Sequence, residues 1–262
     1  MATAIAPPPR QILSIPGLHL KPTLADMRRS NALYNSLPDD ADQPQVDDVF
    51  IAGLRALVKK FNVHNKFGFH LVHGHVKMAA GNVMFGRPMN KLPGFWTRPI
   101  QADKLDLSAL HGFVFVLCED NQFHPYEYRA GTPPVMTAND DAFIYAARKY
   151  FQLNNLTDVI GIEVLEQDCL GKYMKEFVLS DRDGTVMLPS TAVKPTETYR
   201  TTGWNAADLE PFTELKGNES SHSKTTKGTH QVFTDGKALP DVEAVDVEDL
   251  IIEALREASV VN

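Results

Sequence analysis

The run of apolar residues at positions 113–118 (FVFVLC) constrains the fold of this chain more than its other segments do. It is short, continuous and rich in valine and phenylalanine, and it is bounded by Gly112 and Glu119. Such a run is typical of a β-strand covered on both faces, whereas a helix that crosses a bilayer needs about 20 apolar residues. The sequence therefore predicts a central buried strand in a sheet that has helices packed on it.

Three segments show the periodicity of amphipathic helices. Apolar residues recur at helical spacing in residues 47–60 and in residues 139–153. A third helix is predicted over residues 23–35, because Thr23 followed by Asp26 offers an N-cap with an acidic third position.

Other segments read as strands. Residues 68–77 (GFHLVHGHVK), called here the histidine segment, alternate in a way that predicts a strand over residues 67–77, and a turn at "AAG" predicts a hairpin with residues 82–85. The prolines and glycine of residues 91–101 predict a loop, and Asp183-Gly184 predicts a tight hairpin turn. The expected fold is α+β: a mixed, largely antiparallel sheet with about three helices packed on it, plus a C-terminal amphipathic helix.

Composition changes along the chain and predicts four regions. They are a proline-rich N-terminal arm (1–22), a main α+β domain (23–215), a flexible polar segment without aliphatic or aromatic residues at its start (216–240) and a C-terminal amphipathic helix (241–262).

The C-terminal helix has a single apolar stripe: Val247, Leu250, Ile251, Ala254, Leu255 and Ala258. Such a stripe needs a covering surface. Either it docks on its own domain, or residues 246–258 bind a second copy of the chain or a partner protein.

Charge and cysteine content exclude several classes of protein. The chain has 33 acidic and 26 basic residues, with no long basic block, so a nucleic-acid partner is not expected. Two cysteines, Cys118 and Cys169, are too few for a disulfide framework, and the start of the sequence lacks a basic leader with an apolar core. We expect a soluble cytoplasmic protein without a membrane partner.

The histidine segment is the strongest chemical feature. Side chains alternate along a strand, so His73 and His75 are expected on one face and His70 on the other. Two imidazoles at this spacing can bind one divalent metal ion, such as Zn, Fe, Mn or Ni. The sequence thus predicts a possible metal site at His73 and His75.

A metal site needs a third ligand. We predict it from the residues that follow the buried strand, with Glu119 and His124 as metal ligands and Asp120 and Glu127 as further candidates; His111, at the other end of that strand, is also available. Two histidines and a carboxylate on one side of an ion leave open positions for a substrate.

Three alternatives stay open for the function. The histidines can be structural, or they can serve a metal-free isomerase, hydratase or cyclase with Glu127 and Tyr126 as catalytic acid and base. The chain can also be a non-catalytic adaptor that acts through its C-terminal helix. For an enzyme, a small organic substrate is expected, because an apolar pocket can be formed by an aromatic set: Phe95, Trp96, Phe123, Tyr126 and Tyr128.

The pattern of Gly68, His73, Gly74, His75 and Gly81 resembles the first motif of the cupin family, whose strands place a His-x-His pair and a glutamate around a metal. The resemblance covers a short stretch. Where the family has its glutamate, this sequence has the apolar residues of 78–80, and no second cupin motif follows.

Overall fold

A computed structural model of the chain describes residues 13–180, 184–194, 200–206, 215–218, 247–257 and 260–261. Within these residues the chain forms four α-helices and one ten-stranded sheet. The fold is α+β, as the sequence predicted, with two helices before the first strand, a third between β5 and β6 and a fourth after the last strand.

The helices are α1 (Leu24–Ser36), α2 (Asp48–Phe61), α3 (Ala138–Leu153) and α4 (Val247–Glu257). The strands are β1 (Phe67–Leu71), β2 (Asn82–Pro88), β3 (Phe95–Gln101), β4 (Leu110–Leu117), β5 (Phe123–Ala130), β6 (Ile160–Val164), β7 (Met174–Ser180), β8 (Gly184–Pro189), β9 (Gly203–Ala206) and β10 (Leu215–Asn218). None of the described helices combines the length and the apolar character that a bilayer crossing requires.

The strands lie across the sheet in the order β10, β9, β1, β6, β4, β5, β2, β3, β8, β7. Neighbouring strands in the described residues are antiparallel except β2 and β5, which are parallel. This confirms the mixed, largely antiparallel sheet. The apolar run that predicted a central strand forms β4, which lies between β6 and β5 and is buried along its whole length.

The first and third helices begin at capping boxes. The hydroxyl of Thr23 accepts a hydrogen bond from the Asp26 amide, and the Asp26 carboxylate accepts one from the Thr23 amide. Thr137 and Asp140 repeat this arrangement at the start of α3. Both boxes satisfy backbone amides that would otherwise have no partner within the helix.

One face of the sheet is covered by α2 and α3. Apolar side chains of β1, β4 and β6 pack there against both helices, and the main members are Phe67, Phe69, Phe115, Ile160, Ile162, Leu54, Val58, Phe143 and Phe151. Because side chains alternate along a strand, the intervening residues of β1 and β6 point to the opposite face. His70 and Glu163 occupy two of these positions and are buried as well. The sheet therefore carries buried polar side chains on the face opposite α2 and α3, which is called here the polar face.

The predicted hairpin between the histidine segment and β2 is wrong. β1 ends at Leu71 and pairs with β6 and β9, whereas β2 pairs with β3 and β5. After Leu71 the chain leaves the sheet, and Val72 and Val76 are buried in a cluster with Tyr34 of α1. The apolar alternation that predicted a longer strand therefore reflects burial against a helix.

The segment 91–101, predicted as a loop, contains β3. Pro99 lies opposite Met84 of β2, while β8 pairs with β3 only at residues 95–97. Proline is tolerated in a strand where the backbone needs a partner on one side only. The loop prediction is therefore wrong, because the prolines are compatible with a strand that is paired on both sides only at its start.

The described part of the predicted N-terminal arm packs on the domain, since Ile15 and Leu18 belong to the main core. Of the predicted flexible polar segment, residues 216–218 belong to β10 and residues 219–240 lie outside the described residues.

Helix α4 docks on its own chain. Ile251 and Leu255 are fully buried in a cluster that includes Trp96 of β3 and Phe177 of β7. At the start of the helix, the Glu248 carboxylate accepts hydrogen bonds from the backbone amides of residues 90 and 91. Ala258, the last residue of the predicted stripe, lies outside the described residues.

Candidate metal centre

His73 and His75 lie in the loop that follows β1. Backbone amides hold this loop: the Val72 amide donates to the Val159 carbonyl, the Gly74 amide to the Pro38 carbonyl, and the His75 amide to the Tyr34 hydroxyl at 3.2 Å. The loop is therefore held between the start of β6 and the C-terminal end of α1. This fixes the backbone positions from which the side chains of His73 and His75 extend.

The ring of His73 is oriented by the main chain. Its Nδ1 lies 2.6 Å from the carbonyl oxygen of Leu71, a contact in which the nitrogen donates its proton. In a neutral ring this leaves the lone pair on Nε2. Nε2 lies 3.1 Å from Nε2 of His75. A carbonyl that orients a histidine through its second nitrogen is the usual support of a metal-binding imidazole.

His70 lies beside these two rings, which corrects the prediction that it faces the other way. Its ring stacks on His73 with centroids 5.1 Å apart and planes inclined by 11°. The alternation rule applies only within a strand, and β1 ends before His73. Burial lowers the pKa of His70 to about 4, so this ring is neutral at pH 7.

Glu176 of β7 supplies a carboxylate to the same place. Its Oε2 lies 3.8 Å from His75 Nε2, and the side chains of His75 and Glu176 are 4% and 8% exposed. One ligand atom from each of His73, His75 and Glu176 lies within 4.8 Å of the other two. The structure therefore brings two histidines and a carboxylate together in a buried position.

Sequence reasoning missed Glu176, although the hairpin turn predicted at Asp183-Gly184 implies a strand before it, where Glu176 lies. The available signal was an acidic residue inside the apolar strand sequence MKEFVLS, where a buried carboxylate needs a partner. The partner could not be identified, because β7 lies at the opposite side of the sheet order from β1.

The predicted third ligands lie elsewhere. Glu119 is exposed in the turn after β4. His124 Nε2 lies 2.8 Å from the Asp120 carboxylate and 2.7 Å from the guanidinium of Arg29. Within the described residues, neither Glu119 nor His124 joins a potential ligand group with His73 or His75.

The remaining candidates are divided between two places. His111 lies 3.4 Å from the carboxylate of Glu166, outside the ligand group. Glu127, predicted as a ligand or catalytic residue, is half-buried on β5, close enough to His75 and Glu176 for their charges to affect its pKa. The structure thus keeps Glu127, but not His111, beside the histidines.

Two acidic residues of the loop between α1 and α2 form a second group around His75. Ligand atoms of Asp39, Asp40 and His75 also lie within 4.8 Å of one another, and Asp40 is fully buried. Gln43 holds this loop in place, because its side-chain amide donates to the carbonyls of Val72 and Asp158. Both groups contain His75, so a test must distinguish Asp40 from Glu176.

Burial changes the acidity of the groups on the polar face. It raises the pKa of Glu127 to about 7, with a further rise from Glu176, while Arg129 and His75 oppose the shift. Burial also raises the pKa of Glu163 to about 8 against the effect of Arg129. Tyr126 has its pKa raised well above the usual value by burial, and its hydroxyl lies 3.3 Å from His70 Nδ1. Near neutral pH, this face holds carboxyl groups that can exchange protons.

The predicted aromatic pocket is not present as one surface. Phe123, Trp96, Tyr126 and Tyr128 belong to four different apolar clusters. A separate cavity of about 500 Å³ opens between the loop at residues 43–48 and Trp204.

No protein-family model, curated protein or solved structure matches this chain. The likeness of the histidine segment to the first cupin motif therefore has no support beyond those residues.

Proposed function

We propose that this chain is a metal-dependent enzyme acting on a small organic substrate, with a divalent ion held by His73 Nε2, His75 Nε2 and the carboxylate of Glu176. The observation that carries the proposal is the separation of the two Nε2 atoms, 3.1 Å. Two nitrogen ligands about 2.1 Å from one ion are about 3.0 Å apart at a right angle and about 3.4 Å apart at the tetrahedral angle. The observed distance lies between these values.

The carboxylate fits with a small adjustment. Glu176 Oε2 is 3.8 Å from His75 Nε2, so this distance has to shorten by less than about 1 Å to reach the ligand separation of about 3.0 to 3.4 Å, and the ligand atoms of His73 and Glu176 lie within 4.8 Å of each other. Glutamate has three side-chain torsions and can make such a shift within its strand position. The low exposure of the ligands supports an enclosed ion rather than a surface contact.

Three protein ligands leave coordination positions for water and substrate. An ion bound in this way acts as a Lewis acid or, for a redox-active metal, as a site for dioxygen. Glu127 lies on the same face and can accept or donate a proton near neutral pH. Zn, Fe, Mn and Ni all accept this ligand set, and metal analysis distinguishes them.

The test is elemental analysis of protein produced with each metal in excess. We expect about one ion per chain in the unchanged protein and at least a tenfold loss of affinity in His73→Ala, His75→Ala and Glu176→Gln. His124→Ala is the matched control, because His124 is buried among its own partners and should leave metal content unchanged. A metal-free protein after all four metals, or equal loss in the control, would overturn the proposal.

Asp40→Asn separates the two ligand groups that share His75. If His73 and Glu176 bind the ion, Asp40→Asn retains it and Glu176→Gln does not. The reverse result would assign the ion to Asp39, Asp40 and His75, and the proposed ligand set would be wrong.

A metal-free acid and base mechanism is the second candidate. It is favoured by Glu127, whose pKa is raised to about 7, and by the closeness of Tyr126 to His70. In that case His73 Nε2 accepts a hydrogen bond from His75 and no ion is bound. The same metal analysis separates the two candidates.

The adaptor alternative has less support. It relied on an uncovered apolar stripe in the C-terminal helix, and Ile251, Ala254 and Leu255 are buried within the chain. Deletion of residues 241–262 is therefore expected to destabilise the domain itself, and not only to abolish binding of a partner.

A further inference from the structure

Arg129 of β5 is a buried cation. Its side chain is among the largest that are fully buried, with 1% exposure. The guanidinium carbon lies over two rings, 3.9 Å from the centroid of Phe113 and 4.8 Å from that of Phe95. Gly86 on β2 makes room for it, since a Cβ at that position would stand 1.7 Å from Arg129 Nη1.

The hydrogen bonds of this guanidinium are incomplete. Nη1 donates to the hydroxyl of Thr97, while Nε is buried and has no hydrogen-bond partner among the described residues. In the described parts of the chain, Arg129 has no carboxylate within ion-pair distance and no bond from Nη2. The edge formed by Nε and Nη2 is the one that binds a carboxylate through two parallel hydrogen bonds.

A charged group in this environment needs compensation. Arginine stays protonated in proteins, and removing its charge from water costs several kcal/mol unless an anion stands close by. The charge of Arg129 lowers the pKa of Glu127 and of Glu163, yet burial raises both values more. Both carboxyl groups lie beyond ion-pair distance of Arg129. The described carboxyl groups therefore do not neutralise Arg129 directly.

Arg129 faces the same side as the metal ligands. It lies two residues from Glu127 on β5, so the two side chains share a face of the sheet. Glu127 is in turn affected by the charges of His75 and Glu176, which connects the two ends of the polar face. A molecule bound to Arg129 is thus held on the side of the sheet that carries the candidate metal centre.

We propose that Arg129 binds the carboxylate of the substrate through its Nε and Nη2 edge, which makes the substrate a small organic acid. Nε and Nη2 donate in the plane of the guanidinium, so a carboxylate that binds both of them approaches in that plane. A planar carboxylate fits this direction better than a tetrahedral phosphate does. The role of the acid as a substrate rests on the proposed function, whereas its binding to Arg129 does not.

The test is a thermal melt of the whole chain with sodium succinate or sodium benzoate. At 10 mM we expect a rise in Tm of about 3 °C or more over sodium chloride of the same ionic strength. Succinamide and benzamide, which lack the charge, and sodium phosphate should give no such rise. Failure of both carboxylates to raise Tm, or an equal rise with the amides, would overturn the proposal. A larger rise with phosphate would also overturn it.

Variants connect the effect to Arg129. Arg129→Met should weaken carboxylate binding, measured by calorimetry, at least tenfold, and Arg129→Lys should weaken it less, because it keeps the charge and loses the fork. Arg87→Met is the matched control, since Arg87 also lies over an aromatic ring, Trp96 at 5.2 Å, but is exposed. Unchanged binding in Arg129→Met contradicts the proposal. If that variant does not fold, the comparison of carboxylates with amides in the unchanged protein decides.

Metal content measured on the same samples separates this proposal from the proposed function. If the protein binds the metal ion but no carboxylate, the proposed metal centre is supported and carboxylate binding by Arg129 is contradicted. If the protein binds carboxylates through Arg129 but holds no metal, carboxylate binding is supported and the proposed metal-dependent function is contradicted.

Discussion

The Nε2 atom of His75 lies 3.8 Å from a carboxylate oxygen of Glu176, although the two residues belong to opposite regions of the sheet order. The loop after β1 carries the histidine, and β7 carries the glutamate. A ligand set of this kind exists only when the sheet is complete. Metal binding and folding are therefore expected to be coupled.

That coupling predicts the effect of metal removal. Treating the metal-replete protein with a chelator should lower its Tm, because an ion at 100 times its Kd stabilises the folded state by about 2.7 kcal/mol. In His73→Ala the chelator should have no effect, since little ion remains to be removed. Differential scanning calorimetry with and without chelator measures this, and an equal fall in both proteins would contradict the coupling.

Stability should also depend on the ionisation of Glu163. Its pKa is raised by burial to about 8 in the folded chain, whereas an unfolded chain has the usual value of about 4.5. The folded state therefore holds the proton more tightly, and the stability gained from it is present below pH 4.5 and lost as pH rises through about 8.

Glu163→Gln removes this titration. The free energy of unfolding of the variant, compared with that of the unchanged protein, should therefore increase as the pH rises from 5 to 9. Urea denaturation at several pH values measures the difference. A constant difference across this range would mean that Glu163 does not titrate as described.

Phe143 of α3 should be a major contributor to the core. It is fully buried and stacks on Phe67 of β1 with centroids 5.4 Å apart. Phe143→Ala should lower the free energy of unfolding by about 3 to 5 kcal/mol, because it leaves a cavity in a packed core. Leu153→Ala, on the same helix but at a position 82% exposed, should change it by less than about 0.5 kcal/mol. Urea denaturation of both variants provides the comparison.

Helix α4 should protect β7 and β8 locally. Leu255 is fully buried and packs in a cluster with Phe177 of β7 and Val186 of β8. Leu255→Ala should therefore accelerate amide exchange in these two strands more than in α2 or α3. Exchange followed by mass spectrometry detects this. Glu253→Ala, on the exposed side of α4, serves as the control, and uniform acceleration across the chain would show that α4 has no local role.

Most of the fold was accessible from the sequence where the signal is local. The apolar run of β4, the periodicity of α2 and the capping pair of Thr23 and Asp26 each lie within a few residues of one another, and each predicted its element. The end of β1 was not accessible in this way. Val72 is apolar because it packs against α1. In the sequence, an apolar residue at this position cannot be distinguished from the continuation of a strand.

The site was accessible only in part, for a related reason. His73 and His75 are neighbours in the chain, so their proximity could be predicted even from a wrong strand assignment. Glu176 comes from a strand whose pairing partners are set by the whole sheet, and no local pattern links it to His75. The orphaned edge of Arg129 likewise follows from packing between β2, β3 and β4 and has no counterpart in the sequence.

The carbonyl oxygen of Leu71 accepts hydrogen bonds from Nδ1 of both His70 and His73. Since this acceptor belongs to the main chain, any amino acid at position 71 would supply it. An apolar exchange that keeps the packing of position 71 in the core leaves this acceptor in place, whereas insertion or loss of one residue between positions 71 and 75 would turn both rings away from it. The orientation of the two rings therefore depends on the number of residues between position 71 and the histidines, because the acceptor is a main-chain atom.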